Sequence, residues 1–204
     1  MTSPSPLVIG LCGDIGAGKS TVAKFLEARG FTRSLGFANK LKLVLLDVYG
    51  PLGMERRHLF GTQADKNEPL PGILGPDGQP QSGRGLAEHI GTRGFREACP
   101  DTWAKYLFAT WAAWPGDAGM VIEDVRFQNE INVIRDFGGE IWHVSRIGGP
   151  PTEFRNHPSD TEWRGAEVDD HVSASYGAMS DIERKTDIAL ARARERAAHN
   201  TRKV

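Results

Sequence analysis

The sequence predicts an α/β protein: a parallel sheet of about five strands flanked by helices, in one domain spanning all 204 residues. Three observations carry this. Short unbroken apolar runs alternate with segments of helical period, the order that strands and crossover helices follow in a parallel sheet. The first run, Leu7-Val8-Ile9-Gly10-Leu11-Cys12, has no polar interruption, as a strand buried on both faces requires. It leads through the glycine-rich turn Gly13-Asp14-Ile15-Gly16-Ala17-Gly18-Lys19-Ser20 straight into helical spacing.

The elements follow in order. Val22, Phe25 and Leu26 mark a first helix, which Gly30 closes. Residues 31–37 form a weaker strand candidate and Leu41 to Val48 a helix. From Gly50 to Gly85 the chain is rich in glycine and proline without sustained period, the signature of a functional loop or small insertion. Helical spacing returns from Thr102 to Trp114, where Trp103 reads as a core residue. Met120-Val121-Ile122 is a short strand running into Glu123-Asp124, and Phe127, Ile131, Ile134 and Phe137 mark a helix stopped by Gly138-Gly139. Glu140 to Ser145 is a strand, Arg146 to Asp170 a polar segment, and a last strand near His171 to Ala174 precedes a helix from Ala178. The order β-α-β-α, insertion, α-β-α-β, insertion, β-α places core at 7–49 and 86–145, insertions at 50–85 and 146–170, and a strand and helix at 171–204.

Composition narrows the function. A formal net charge of -1 gives nucleic-acid binding no electrostatic support. No apolar run approaches the length of a membrane span. Cys12 and Cys99 build no disulfide framework, and no secretory leader is visible, so a reduced cytoplasmic location is expected.

The turn Gly13–Ser20 fits Gly-x-x-x-x-Gly-Lys-Ser, the P-loop pattern. Its glycines let the backbone wrap a phosphate with N–H groups pointing inward, at a helix N-terminus where the dipole favours anions. Lys19 reaches the outer phosphates, and the Ser20 hydroxyl is placed to ligate Mg²⁺. Asp14, Gly16, Ala17, Gly18, Lys19, Ser20 and Thr21 are thus the candidate ATP-binding residues. Asp14 should repel phosphate unless it turns outward.

Such a site needs a carboxylate at the end of a neighbouring strand. Asp124 is the candidate, with a helix N-cap as its ordinary alternative. Arg126 stands at the same sheet edge, able to pair with Asp124 or bind a second phosphate. Arg146, Arg155 and Arg164 lie in the late polar segment, either as lid arginines that close over the transferring phosphoryl group or as ordinary surface residues. The six histidines show no metal-ligand spacing.

Beyond the loop, several stretches coincide: Phe37-Ala38-Asn39-Lys40-Leu41-Lys42, Arg84 before Gly91-Thr92, Pro100-Asp101-Thr102-Trp103, Asp124-Val125-Arg126-Phe127-Gln128-Asn129-Glu130, His143-Val144-Ser145-Arg146 and His157-Pro158-Ser159-Asp160. With these the chain resembles the phage-type deoxynucleoside monophosphate kinases over most of its length. The resemblance implies a three-layer P-loop kinase fold in which 50–85 is a monophosphate-binding insertion and 146–170 a lid. It implies that Lys42, Arg84, Arg126 and the Gly91-Thr92 backbone hold the acceptor monophosphate, that Trp103, Asp124 and Glu130 line the nucleoside pocket, that Leu41 is a further substrate-binding residue, and that Lys19, Asp124 and Arg126 are catalytic. ATP and Mg²⁺ are the implied cofactors and a deoxynucleoside monophosphate the small-molecule partner; a homodimer is usual for such a family. Two departures stand out: Arg93 follows Gly91-Thr92 where the family has an acid, and Ser175 precedes Tyr176-Gly177 where it has Asn.

A dephospho-coenzyme A kinase shares the N-terminal pattern, but its hydroxyl acceptor needs a carboxylate base near the second strand. Phe37-Ala38-Asn39-Lys40 offers none before Asp47. A GTP switch would carry Asn-Lys-x-Asp, whereas Asn39-Lys40 runs into Leu41-Lys42.

Overall fold

The computed structural model describes residues 6–33, 36–112, 118–149 and 162–201. They form two compact units: Met1–Gly36 with Leu107–Val204, and Phe37–Tyr106.

The first unit is built on a parallel sheet. Its strands are β1 (Val8–Cys12), β2 (Thr32–Arg33), β5 (Met120–Ile122), β6 (Glu140–Ile147) and β7 (Asp170–Ser175), in spatial order β2-β5-β1-β6-β7. Every pairing is parallel, with Gly10 opposite Ile122 on one side and Ile141 on the other. Four of these are strands of substance. The candidate at 31–37 shrinks to the two residues of β2 at the edge, so the expected sheet of about five strands is in effect a sheet of four.

Helices α1 (Lys19–Glu27), α7 (Gln128–Asp136) and α8 (Met179–Thr201) cover it. The chain leaves β1 through α1 towards β2, and leaves β5 through α7 in the opposite direction to reach β6. Right-handed crossovers running in opposite directions must place their helices on opposite faces. On one face Ile9, Leu11, Trp142, Val144 and Val172 pack with Val22, Ala23 and Leu26 of α1 and Ala189, Leu190 and Ala193 of α8. On the other, a Cβ at Gly10 would lie 2.7 Å from Ile134 Cδ1 of α7 and 2.9 Å from Val125, so glycine is what lets α7 approach β1. At the N-terminal ends of β6 and β7, Arg196 of α8 forks onto Glu140, with both contacts at 2.7 Å, and Trp142 Nε1 donates to the same carboxylate.

The second unit carries α2 (Asn39–Tyr49), a 3-10 turn at Gly50–Leu52, α3 (Arg57–Phe60), α4 (Gln63–Asn67), the hairpin β3 (Pro69–Leu74) and β4 (Pro80–Ser82), α5 (Gly83–His89), a π-helical stretch Ile90–Arg96 and the start of α6 (Thr102–Ala112). The segment 50–85 is therefore ordered into short elements rather than irregular. Local hydrogen bonds explain why such short helices hold. Thr62 Oγ1 accepts from the Asp65 N–H while Asp65 Oδ2 accepts from the Thr62 N–H, a capping box for α4. Ser82 Oγ accepts from the Gly85 N–H at the start of α5. No helix among the described residues is long and apolar enough to cross a membrane.

Candidate active site

The loop after β1 has the backbone its glycines foretell. Gly13, Gly16 and Gly18 have φ of 139°, 75° and 102°, and among the described residues these signs occur only at glycine. Gly13 is pressed against the Val144 carbonyl of β6, where a Cβ would overlap that oxygen. Gly18 stands at the N-terminus of α1 without a side-chain cap, and no acidic residue occupies the first turn. That leaves the positive end of the helix dipole directed at the loop, the arrangement that receives anions.

Lys19 folds back over this loop. Its Nζ donates to the Gly13 carbonyl at 2.7 Å and to the Asp14 carbonyl at 2.8 Å. Withdrawal from water, and then the positive charge of Arg126, lower its pKa from 10.5 to about 8, against the opposing pull of the Asp14 and Asp124 carboxylates. Asp14, Asp124 and Arg126 thus all act electrostatically on Lys19 at the C-terminal edge of the sheet, where strands β1 and β5 lie side by side. In open α/β sheets that edge is where ligands bind. Cys12, just before the loop, is buried and its thiol is pushed up to about 11 by burial, so it stays protonated and unreactive.

Asp124 is not the cap of the following helix. That work falls to Glu130, buried on α7, whose Oε2 accepts from the N–H of Arg126 at 2.8 Å and of Phe127 at 3.1 Å. Glu130 therefore acts at least in part as a structural carboxylate that fixes Arg126 at the strand end. Both Asp124 oxygens instead lie against Gly36, where a Cβ would stand 2.6 Å away; with φ of 77°, Gly36 is the residue that makes room for that carboxylate. The sequence reading overlooked Gly36, whose only signal is a glycine flanked by apolar residues at the end of a weak strand.

The arginines of the late segment divide. Arg146 lies inside β6 and not in a lid; its Nη1 donates to the Gly16 carbonyl at 3.3 Å and its guanidinium lies 5.1 Å from the centre of the Tyr176 ring. Arg164 sits on a 3-10 turn, Glu162–Gly165, and its Nη2 donates to Asp14 Oδ1 at 2.6 Å. The loop carboxylate does turn outward, onto this arginine. Arg155 and the stretch His157–Asp160 lie outside the described residues. His143 of β6, one of the histidines without metal-ligand spacing, stands beside the loop, its ring centre 5.2 Å from that of Trp163 and 5.5 Å from that of His171. Burial and then His171 lower its pKa, which keeps it neutral at physiological pH.

In the second unit, Leu41 is buried against Gly91, where a Cβ would meet its Cδ2 at 2.6 Å. Gly91 and Thr92 lie in the π-helical stretch, a geometry found often at functional sites. Lys42 Nζ lies 5.2 Å from the centre of the Phe60 ring, and Arg84 is hydrogen-bonded to Gln63. Trp103 is buried, with Phe95 tilted against it at 4.7 Å, yet among the described residues its indole N–H has no hydrogen-bond partner. An unanswered buried donor calls for an explanation, and a ligand acceptor is one. Among the described residues no cluster of three or more His, Cys, Asp and Glu side chains forms a metal cage.

A parallel sheet flanked by helices, with a Gly-x-x-x-x-Gly-Lys-Ser loop leading from its central strand into a helix, is consistent with a P-loop kinase-like fold. No family model matches the chain. It is 29% identical over 178 residues to a protein of Acanthamoeba polyphaga mimivirus described as "Putative deoxynucleotide monophosphate kinase", a match covering 81% of this chain and 86% of that one. The crystal structure of TT1252 from Thermus thermophilus superposes with a TM-score of 0.48 at 17% identity, over 92% of this chain and 97% of the other.

The lowered pKa of Lys19 gives an expected pH dependence. A bound polyanion favours the ammonium, so Mg·ATP affinity should fall by about tenfold between pH 7 and pH 9 as the free lysine loses its proton. Stability moves the other way. The unfolded chain holds the Lys19 proton up to 10.5 and the folded chain only to about 8, so this lysine's contribution to stability rises with pH between those values. Isothermal titration with Mg·ATP across this range checks the first sign and urea denaturation the second; affinity flat across the range would count against the burial of Lys19.

Proposed function

We propose that this chain is a deoxynucleoside monophosphate kinase, transferring the γ-phosphoryl group of ATP to a deoxynucleoside monophosphate to give the diphosphate. The observation that carries the reading is the gathering of Lys19, Asp124 and Arg126 around an anion-receiving loop at one edge of the sheet. The name of the mimivirus relative supports the same reaction class.

An acceptor phosphate has a second pKa of about 6, so its oxygen is already anionic at neutral pH and no general base is needed. Catalysis then reduces to alignment and charge neutralisation. Lys19 neutralises the outer phosphates of ATP, the loop from Gly13 to Thr21 aligns them, and Arg126, fixed by Glu130, takes charge on the acceptor side. The Ser20 hydroxyl, a hard oxygen donor, would hold Mg²⁺, with the Asp124 carboxylate nearby to orient it. Bound there, it would neutralise charge on the phosphate oxygens. Asp124 is an orienting group. Within the second unit, Lys42, Arg84 and the Gly91-Thr92 backbone suit an anionic acceptor, and the unanswered indole N–H of Trp103 suits a base or sugar oxygen.

The test is a panel of the common deoxynucleoside monophosphates with Mg·ATP, read by coupled ADP release. Turnover of at least one is expected. Turnover of dephospho-coenzyme A with failure of the whole panel would overturn the reading. Arg126→Ala should raise the acceptor KM and lower kcat together by about a hundredfold, with ATP affinity nearly unchanged. Loss of ATP binding in that variant would remove Arg126 from the acceptor side.

A further inference from the structure

A carboxylate inside a phosphate-binding loop is an electrostatic contradiction. The backbone of Asp14 belongs to the cradle, since its carbonyl accepts from Lys19 Nζ at 2.8 Å and from the Ala17 N–H at 3.1 Å. Its side chain, however, turns out of the loop and meets Arg164 at 2.6 Å. Arg164 is held from a second side, its guanidinium 5.1 Å from the ring centre of Trp163. Trp163 is itself buried, only 8% exposed, with its ring against His143 of β6. His143 pairs in register with Cys12, two residues before Asp14. The 3-10 turn Glu162–Gly165 is thus seated on the same strand that flanks the loop, and its arginine is clamped between an indole and the loop's own carboxylate.

Stability does not account for this pair. Its side chains are 43% and 52% exposed, and an ion pair so open to water contributes little to folding. What it does accomplish is geometric. A free arginine samples many rotamers, and ordering it at the moment of binding opposes affinity. A guanidinium carries five N–H donors in one plane, so it can hold a carboxylate with one and a phosphate oxygen with another.

We propose that Asp14 is a positioning residue: it cancels its own repulsion by fixing Arg164 beside the loop, where Arg164 contacts the phosphate tail of a bound nucleoside triphosphate. The inference rests on reading the loop as a triphosphate site, and it makes Arg164 a binding cation set in place before ATP arrives.

The two roles of Asp14 have opposite signs, which makes the proposal testable. Mg·ATP affinity is measured by equilibrium dialysis for wild type, Asp14→Asn, Arg164→Ala and the double variant, with thermal melts as a check on folding. Asp14→Asn in the wild-type background should weaken affinity by about tenfold, the loss of one charge-assisted contact's worth of positioning. Arg164→Ala should weaken it further, because Asp14 is then left unpaired beside the phosphates. In that background Asp14→Asn should improve affinity, because only repulsion remains to be removed. Asp14→Glu should recover part of the wild-type value, and melting temperatures should not move.

Asp14→Asn binding ATP as tightly as wild type or more tightly would overturn the proposal, as would losses that simply multiply in the double variant. If wild type itself binds no Mg·ATP, the triphosphate reading fails and the tether with it. If wild type binds ATP but phosphorylates no deoxynucleoside monophosphate, only the acceptor assignment fails, and the affinities still decide the role of Asp14.

Discussion

Replacing Lys19 with alanine is expected to lower turnover on the order of a thousandfold or more while leaving the fold intact. The magnitude is that of removing a preorganised cation from the point where charge develops. The intact fold follows from the same pKa that sets its pH dependence. Folding places the Lys19 ammonium where it is less at ease than in water, lowering its pKa from 10.5 to about 8. Alanine removes that burden along with two hydrogen bonds to the Gly13 and Asp14 carbonyls, of which Asp14's keeps the Ala17 N–H as a donor. The melting temperature of Lys19→Ala should therefore stay near that of wild type or rise, as is common where a residue is kept for function at the expense of stability. Coupled ADP release and differential scanning calorimetry read the two quantities. A variant that keeps a tenth of wild-type turnover would remove Lys19 from the chemistry, and one that melts far below wild type would give it a structural role instead.

Gly13→Ala should be the most damaging single change to the fold among the loop glycines. Two penalties coincide there. With φ of 139° the backbone is where an L side chain is strained, and the new Cβ would overlap the carbonyl oxygen of Val144 on the adjacent strand β6. That oxygen is part of the sheet and cannot swing aside as a side-chain tip would. The loss should be about 3 kcal/mol or more, a fall in melting temperature on the order of 10 °C for a chain of this size. Gly138→Ala is the internal control. Its φ is 72° and a Cβ there meets nothing within 4 Å, so strain alone applies, about 1 kcal/mol. If the two variants melt together, close approach of the Val144 carbonyl is not what requires glycine at position 13.

Much of the first unit was legible because its signals are local. Leu7 to Cys12 is apolar without interruption since β1 is buried on both faces, and Gly-x-x-x-x-Gly-Lys-Ser specifies its own turn through the φ angles only glycine adopts freely. The middle of the chain was harder to read. β3 has a bulge between Leu70 and Leu74, so its exposure never settles into alternation, and the period that announces a strand is absent. The helices there are only four to seven residues long, too short to show a period. Thr62 with Asp65, and Ser82, cap these short helices, local events that the sequence carries but the reading of 50–85 did not use.

The candidate site divides in the same way. That Asp124 and Arg126 end a strand followed from the apolar run before them. Whether Asp124 capped the next helix did not, since that turned on where the Glu130 carboxylate lies and on the space Gly36 leaves across the sheet edge. Trp103 read as core from its period and is buried as expected, but the missing partner of its N–H emerges only from the surrounding packing.

By itself the sequence determined the class of fold, the glycine backbone of the loop that opens α1 and the residue types that flank it, for these depend on patterns within a few residues. The tertiary structure alone decided that Arg146 belongs to a strand, that Glu130 fixes Arg126, and that Asp14 faces Arg164 from 150 residues away. Such pairings are set by strand order and helix packing. No local pattern records which charge meets which, because the contact exists only once the intervening chain has folded.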